Sequence, residues 1–182
     1  SYGGRFFTNL KRNGDLINQI YLVFELNSTS SKGNSTYFNW VNNTAHSLIK
    51  EVSISIGEET IDSHDGVFLD ILSELNDPTH EDWPLLNKHA AHNAYLQSSE
   101  SLVPNKLFIP LQFWFCKNPG MALPIVSLDR TVEVVLDFRL RGLSEVINCD
   151  GTTSSVSEVS PDITVYADYI FLDDDERKMF LD

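Results

Sequence analysis

At 182 residues and 42% hydrophobic content, the chain has the length of one ordinary domain and enough apolar material for a core. Its formal net charge of −13, from 13 basic and 26 acidic residues, argues against gripping a nucleic acid backbone, which takes clustered Lys and Arg. No apolar run approaches the roughly 18 residues of a membrane span.

The opening residues, SYGGRFFTNLKRNG, have neither an initiator Met nor a signal-peptide layout, so a mature or cut-out piece is expected. The first clear element is LINQIYLVFEL, where Ile20, Leu22, Phe24 and Leu26 alternate onto one face of a strand. A polar, turn-forming loop over 27–36 comes next. Three glycosylation triplets begin nearby, at Asn27, Asn34 and Asn42. A Ser/Thr/Asn-rich stretch generates such triplets by chance, and without a signal peptide the expectation is that all three stay unmodified.

The second alternating stretch, LIKEVSISIG, places Leu48, Val52, Ile54 and Ile56 on one face, opposed by Ser53 and Ser55. Next comes a break in period. HDGVFLDILSELND carries Val67, Phe68, Ile71, Leu72 and Leu75 at helical spacing, with Asp65 near its start and Asn76-Asp77-Pro78 at its end. This predicts a short amphipathic helix over 65–76, inserted between strands and covering one end of the sheets. A long excursion over 77–105 holds His80, His89 and His92. The spacing of 89 and 92 suits a shared helix face, but two-ligand spacings are weak signals and loop histidines are the expected reading.

LFIPLQFWF predicts a strand with Leu107, Ile109, Leu111, Phe113 and Phe115 on its core face, and Phe108, Pro110 and Trp114 on the other. A strand apolar on both faces is covered on both, which makes Phe108 and Trp114 packing or interface candidates. Cys116 lies in this run and is expected as a buried free thiol; with Cys149 it allows at most one bridge. Such cysteine usage suits a reducing compartment. Asn118-Pro119-Gly120 ends the segment. TVEVVLDFR gives Val132, Val134, Leu136 and Phe138, and after a loop over 143–162 ITVYADYIFL gives Ile163, Val165, Ala167, Tyr169 and Phe171. Asp173 to Glu176 ahead of Arg177 and Lys178 is the charge order of a helix start, so a helix begins over 173–182 and leaves Met179 and Phe180 as further interface candidates.

Recurrent alternation with turn-rich connections indicates an antiparallel sandwich or barrel. The acidic run at 173–176 lacks the alternating oxygens, central Gly and terminal Glu of a calcium loop. No G-x-S-x-G turn, phosphate-cradling Gly loop or H-E-x-x-H pattern occurs. The expectation is therefore no catalytic residue, no metal site and no cofactor.

Read in order, RNGDLINQIYLVFEL (12–26), WVNNTAHSLIKEVSISIGEETIDSHDGVFLDILSEL (40–75), LQFWFCKNPGMALPIVSL (111–128) and VYADYIFLDDDERKMF (165–180) resemble stretches of the major capsid proteins of large eukaryotic DNA viruses. The departures are Phe68 and Leu72 where tryptophan is expected, and Gly57-Glu58 in place of Gly-Gly. The resemblance implies an all-β fold: an antiparallel, eight-stranded jelly-roll sandwich with a short inserted helix and long surface loops. It further implies that residues 1–172 are the first jelly roll of a tandem pair, and that 173–182 begin an inter-domain linker helix. The function implied is structural: homotrimers of six-fold outline tile an icosahedral shell assembled in the host cytoplasm. The partners implied are copies of the chain, a second jelly roll and minor capsid proteins, with no direct nucleic acid contact. From a different class, a secreted carbohydrate-binding jelly roll is the alternative, and it would show an aromatic platform and glycans at the three triplets.

Overall fold

The structure, a computed structural model, describes residues 2–26, 29–30, 38–76, 101–102, 105–149 and 161–181. Its strands are β1 (Arg5–Asn9), β2 (Leu16–Leu26), β3 (Thr29–Ser30), β4 (Phe38–Trp40), β5 (Ile49–Ile56), β6 (Glu59–His64), β7 (Ser101–Leu102), β8 (Asn105–Pro110), β9 (Val134–Leu140), β10 (Ile147–Cys149) and β11 (Asp162–Ile170). Among the described residues three α-helices accompany them: α1 (Thr44–Leu48), α2 (Gly66–Asn76) and α3 (Asp174–Leu181). One antiparallel sheet runs β1-β9-β5-β6 and the other β11-β2-β8, with the short pairs β10-β4 and β3-β7 beside them.

The expected alternation is what builds the core. Ile20, Leu22, Phe24 and Leu26 of β2, Val52 and Ile54 of β5, and Val134, Leu136 and Phe138 of β9 are all buried and belong to one cluster fed by both sheets. Period two delivers each strand's apolar set to the same side. β2 is central, and Val23 on its opposite face is also buried, so this strand is covered on both sides. β11 alternates half-buried Ile163, Val165, Ala167 and Tyr169 with exposed residues until a register shift at Asp168/Tyr169. Phe171, expected on the same face, lies beyond the strand and is exposed.

The turn between β5 and β6 explains one departure from the family pattern. Gly57 has φ 64°, and Asn43 alone among the described non-glycine residues has positive φ. A two-residue hairpin loop with φ above zero only at its first position needs glycine there and nowhere else, so Glu58 fits where a second glycine was expected.

Several expectations about the elements need correction, among them the loops expected over 27–36 and 77–105, which contain β3 and β7. The predicted strand over 107–115 stops at Pro110, which pairs with Tyr21 on an edge strand. A proline is tolerated there because its nitrogen faces away from β2; the Leu111 N–H makes the last bond, to the Ile20 carbonyl at 2.9 Å, before the chain folds into a 3₁₀ turn at Trp114–Cys116. Leu48, read as the start of a strand, closes the short helix α1; the strand begins one residue later. The loop expected over 143–162 opens with a 3₁₀ turn at Leu143–Glu145 and includes β10, whose Ile147 pairs with Trp40 of β4.

Candidate functional site

Helix α2 forms where the 3.6-residue period predicted it, but it faces the other way. Asp65 caps it: its Oδ1 accepts the Phe68 N–H at 2.7 Å, and its carbonyl accepts the Leu69 N–H at 3.1 Å. Only Gly66 and Leu69 are buried. A Cβ at Gly66 would stand 2.1 Å from the His46 carbonyl oxygen and 2.5 Å from that of Ile49, so glycine is what lets the helix seat against α1 and β5. Most of the predicted apolar stripe points outward: Val67 is 58%, Ile71 54% and Leu75 72% exposed, with Phe68 partly so, while Leu72 is half-buried. Phe68 still has a foothold, because its ring stacks on His64 at 4.7 Å and His64 stacks on buried Phe113 at 5.2 Å.

Segment 107–116 shows the opposite error. Leu107, Ile109, Leu111, Phe113 and Phe115 are buried as expected. Trp114, expected to point away from the core, packs against it instead, edge-on to Phe115 with ring centroids 4.9 Å apart. The 3₁₀ turn re-aims it. Phe108 is half-buried, paired opposite Val23 with the Lys106 ammonium 5.8 Å from its ring centre. Cys116 is a free, half-buried thiol, pushed by burial up to about 11. Met179 and Phe180 on α3 are exposed, as is Phe171 ahead of it. Asn42 is an exposed residue, while Thr44 of the same triplet is buried and donates to the Val41 carbonyl at 2.7 Å. Asn27 and Asn34, like His80, His89 and His92, lie outside the described residues.

Residues 12–15, Arg-Asn-Gly-Asp, stand out in the sequence only through the family resemblance, and the structure shows why they matter. The Arg12 guanidinium donates to four carbonyls in one loop: Ile125 at 3.1 Å, Leu128 and Val132 at 2.8 Å, and Asp129. At Gly14, a Cβ would come 2.7 Å from that of Tyr169, whose hydroxyl donates to the Lys11 carbonyl. Asp15 is the hub. Its N–H donates to the Ile170 carbonyl and its carbonyl accepts from Val126, both at 3.0 Å. Its side chain, 11% exposed, takes the Leu172 N–H at 2.9 Å and a two-pronged contact from Arg177, with Nε on Oδ1 and Nη2 on Oδ2, each 3.0 Å. The Arg177 hydrogen bond, and after it that from Leu172, holds the Asp15 carboxyl below the usual carboxylate range. Nothing in composition or periodicity marks this site, because its partners sit more than a hundred residues away in sequence.

Among the described residues no group of three or more His, Cys, Asp or Glu side chains could hold a metal ion, and no helix is long and apolar enough to cross a membrane. A shallow cleft of about 300 Å³ lies between the 8–13 stretch and β11, lined by Thr8, Lys11, Tyr166 and Tyr169 among others.

Two antiparallel sheets with a shared core make this chain a sandwich of the jelly-roll class. That class is met in the Faustovirus major capsid protein, whose backbone superposes with a TM-score of 0.76 over 98% of this chain and 53% of that chain, at only 10% identity. The chain belongs to the major capsid protein family: residues 1–173 match the model of the major capsid protein N-terminus. It is 34% identical over 182 residues to the major capsid protein of Pyramimonas orientalis virus, covering 99% of this chain and 43% of that protein. To the major capsid protein of Paramecium bursaria Chlorella virus 1 it is 30% identical, covering 98% of this chain and 38% of that one. The crystal structure of PBCV-1 Vp54, fitted into a reconstruction of the virophage Sputnik, matches with a TM-score of 0.73 at 28% identity, over 99% of this chain and 41% of that chain. The chain thus spans less than half the length of the two sequence relatives and of Vp54.

Proposed function

We propose that this chain is a structural building block of a viral capsid shell, the first jelly roll of a protein that carries a second. Copies of that protein associate into trimers of six-fold outline, which tile an icosahedral surface assembled in the host cytoplasm, with minor capsid proteins as further partners. The role is architectural and not catalytic. The observation that carries this reading is the match of essentially the whole chain, in sequence and in fold, to one end of the major capsid proteins. The carbohydrate-binding alternative finds no support in these relatives.

The physical features suit the role. Exposed apolar side chains on α2 and α3 are the kind of surface that marks an interface, and about 800 Å² per partner is a usual specific contact. Strong acidity keeps such a protein soluble at high local concentration. The test is to express the complete protein carrying this chain and measure its mass by light scattering, then image it by negative stain. Trimers of hexagonal outline are expected, with the protein detected in the shell of purified virions by antibody labelling. A complete protein that stays monomeric across micromolar concentrations, and is absent from virions, would overturn the reading. An intact mass without hexose or N-acetylhexosamine at Asn27, Asn34 and Asn42 is expected in the same preparation.

A further inference from the structure

We infer that the Asp15–Arg177 pair is a positioning lock: it fixes the direction in which the chain leaves the jelly roll, so that α3 presents Met179 and Phe180 at a set place to the next domain. This rests on the reading that a second jelly roll comes after the first. Asp15 cannot swing away, because its backbone N–H and carbonyl are held by the end of β11 and by the 125–127 turn, two segments distant in sequence. With the residue pinned, both carboxylate oxygens face the exit path and are shared between the Leu172 N–H and the Arg177 guanidinium. A planar fork on a carboxylate fixes orientation as well as distance, which a single ammonium contact would not.

The passage from strand to helix is tied at several points. β11 ends at Ile170, whose carbonyl is bonded to Asp15; Leu172 is bonded to Asp15; and α3 starts at Asp174. Asp173 caps that start, its Oδ1 accepting from Glu176 N at 2.8 Å and Asp175 N at 3.1 Å, while Glu176 Oε2 accepts from Asp173 N at 3.3 Å. This is a reciprocal capping box. Arg177 then donates its own N–H to the Asp173 carbonyl and its side chain to Asp15, so one residue joins the helix to the jelly roll. A flexible Gly/Ser connection would let the next domain sample many orientations, whereas this exit is bonded at Ile170, Leu172 and Asp173 in turn. The long-range tie gives Arg177 a task beyond helix stability, since the helix is already capped.

The test uses the complete protein and compares the native sequence with Arg177→Gln, Arg177→Lys and Asp173→Ala by hydrogen exchange and small-angle scattering. Arg177→Gln should speed exchange of the α3 amides by roughly 10- to 100-fold, the scale expected when a locally opening unit is deprived of a charge-assisted hydrogen bond, while β2 and β9 keep their protection. Arg177→Lys should recover only part of it. The maximum dimension in scattering should broaden for Arg177→Gln, and less for Asp173→Ala, which frays the helix start but leaves the tie. Equal α3 protection in native and Arg177→Gln proteins would overturn the lock. So would faster exchange spread evenly over the whole sandwich, which would make the pair an ordinary contributor to stability. If scattering of the native protein shows no second folded body, the tandem reading fails on that measurement alone, whereas the exchange data still judge the tie between Asp15 and α3.

Discussion

Segments 66–76 and 107–116 are both rich in apolar residues, and in each the structure re-aims part of what the pattern suggests. In α2 the periodic stripe of Val67, Ile71 and Leu75 faces outward, and the helix is seated by Gly66 and Leu69. In 107–116 the expected core face is buried, and Trp114, expected to face away, is drawn back toward the core. Periodicity reports which residues share a face, but not what lies against that face. A helix seated through a close glycine contact needs few buried side chains to hold it, which leaves its broad apolar face free for another surface. The strand that ends at Pro110 passes into a tight turn that brings Trp114 inward beside Phe113 and Phe115.

The sharpest way to break this contrast is at Phe113, the fully buried end of the Phe68–His64–Phe113 stack. Phe113→Ala should cost about 3–5 kcal/mol by chemical denaturation, and it should loosen α2 as well as the core. A loss under about 1 kcal/mol would mean that the 107–116 segment is not a core element. Next is Gly66→Ala, where the new methyl meets two backbone carbonyls that cannot rotate aside. A destabilisation of about 1–3 kcal/mol is expected from overpacking, although alanine is the better helix former. A neutral or stabilised variant would show that α2 is not seated on α1 and β5. Smaller again is Asp65→Ala, which removes the cap that holds the first turn. It should cost about 1 kcal/mol, read as a lowered melting temperature with an unchanged denaturant slope.

The contrast also shows how much is legible in the sequence. The strands through Phe24, Ile54 and Leu136 can be read directly, because a two-residue period over a half-buried surface leaves one arrangement that buries the apolar set. The existence of α2 and its capping residue can be read the same way. Its facing cannot, since the deciding feature is the approach of Gly66 to the His46 and Ile49 carbonyls, a tertiary contact with no local signal. The hub at Asp15 is hidden for the same reason: a carboxylate in a polar turn looks solvated until Leu172 and Arg177 are brought to it. That hub makes a pH prediction. The Asp15 carboxyl has a folded value below its unfolded one, so its contribution is present above the unfolded value, near 4, and is lost as pH falls through the folded value. Arg177→Gln should therefore flatten the acid limb of the stability profile below about pH 4, and a limb identical to the native one would count against the pair.

The smallest expected effect on folding carries the most information about the surface. Ile71→Ser and Leu75→Ser replace side chains that are 54% and 72% exposed, so each should change the stability of the isolated jelly roll by no more than about 0.5 kcal/mol. Their effect should appear in association instead. Serine there removes apolar area from a patch that also includes Val67 and Phe68, while adding no charge to a protein already at −13. If the α2 face is covered in the assembled capsomer, the double variant should fold with a native melt yet dissociate at concentrations where the native protein stays associated, measured by sedimentation across a dilution series. Salt helps to separate the causes. Repulsion between acidic copies is screened over roughly 8 Å at physiological ionic strength, so added salt should strengthen the native assembly and rescue the variant little. A double variant that associates as the native protein does would leave α2 outside every contact, and the interface would then have to be sought at Met179 and Phe180 on α3.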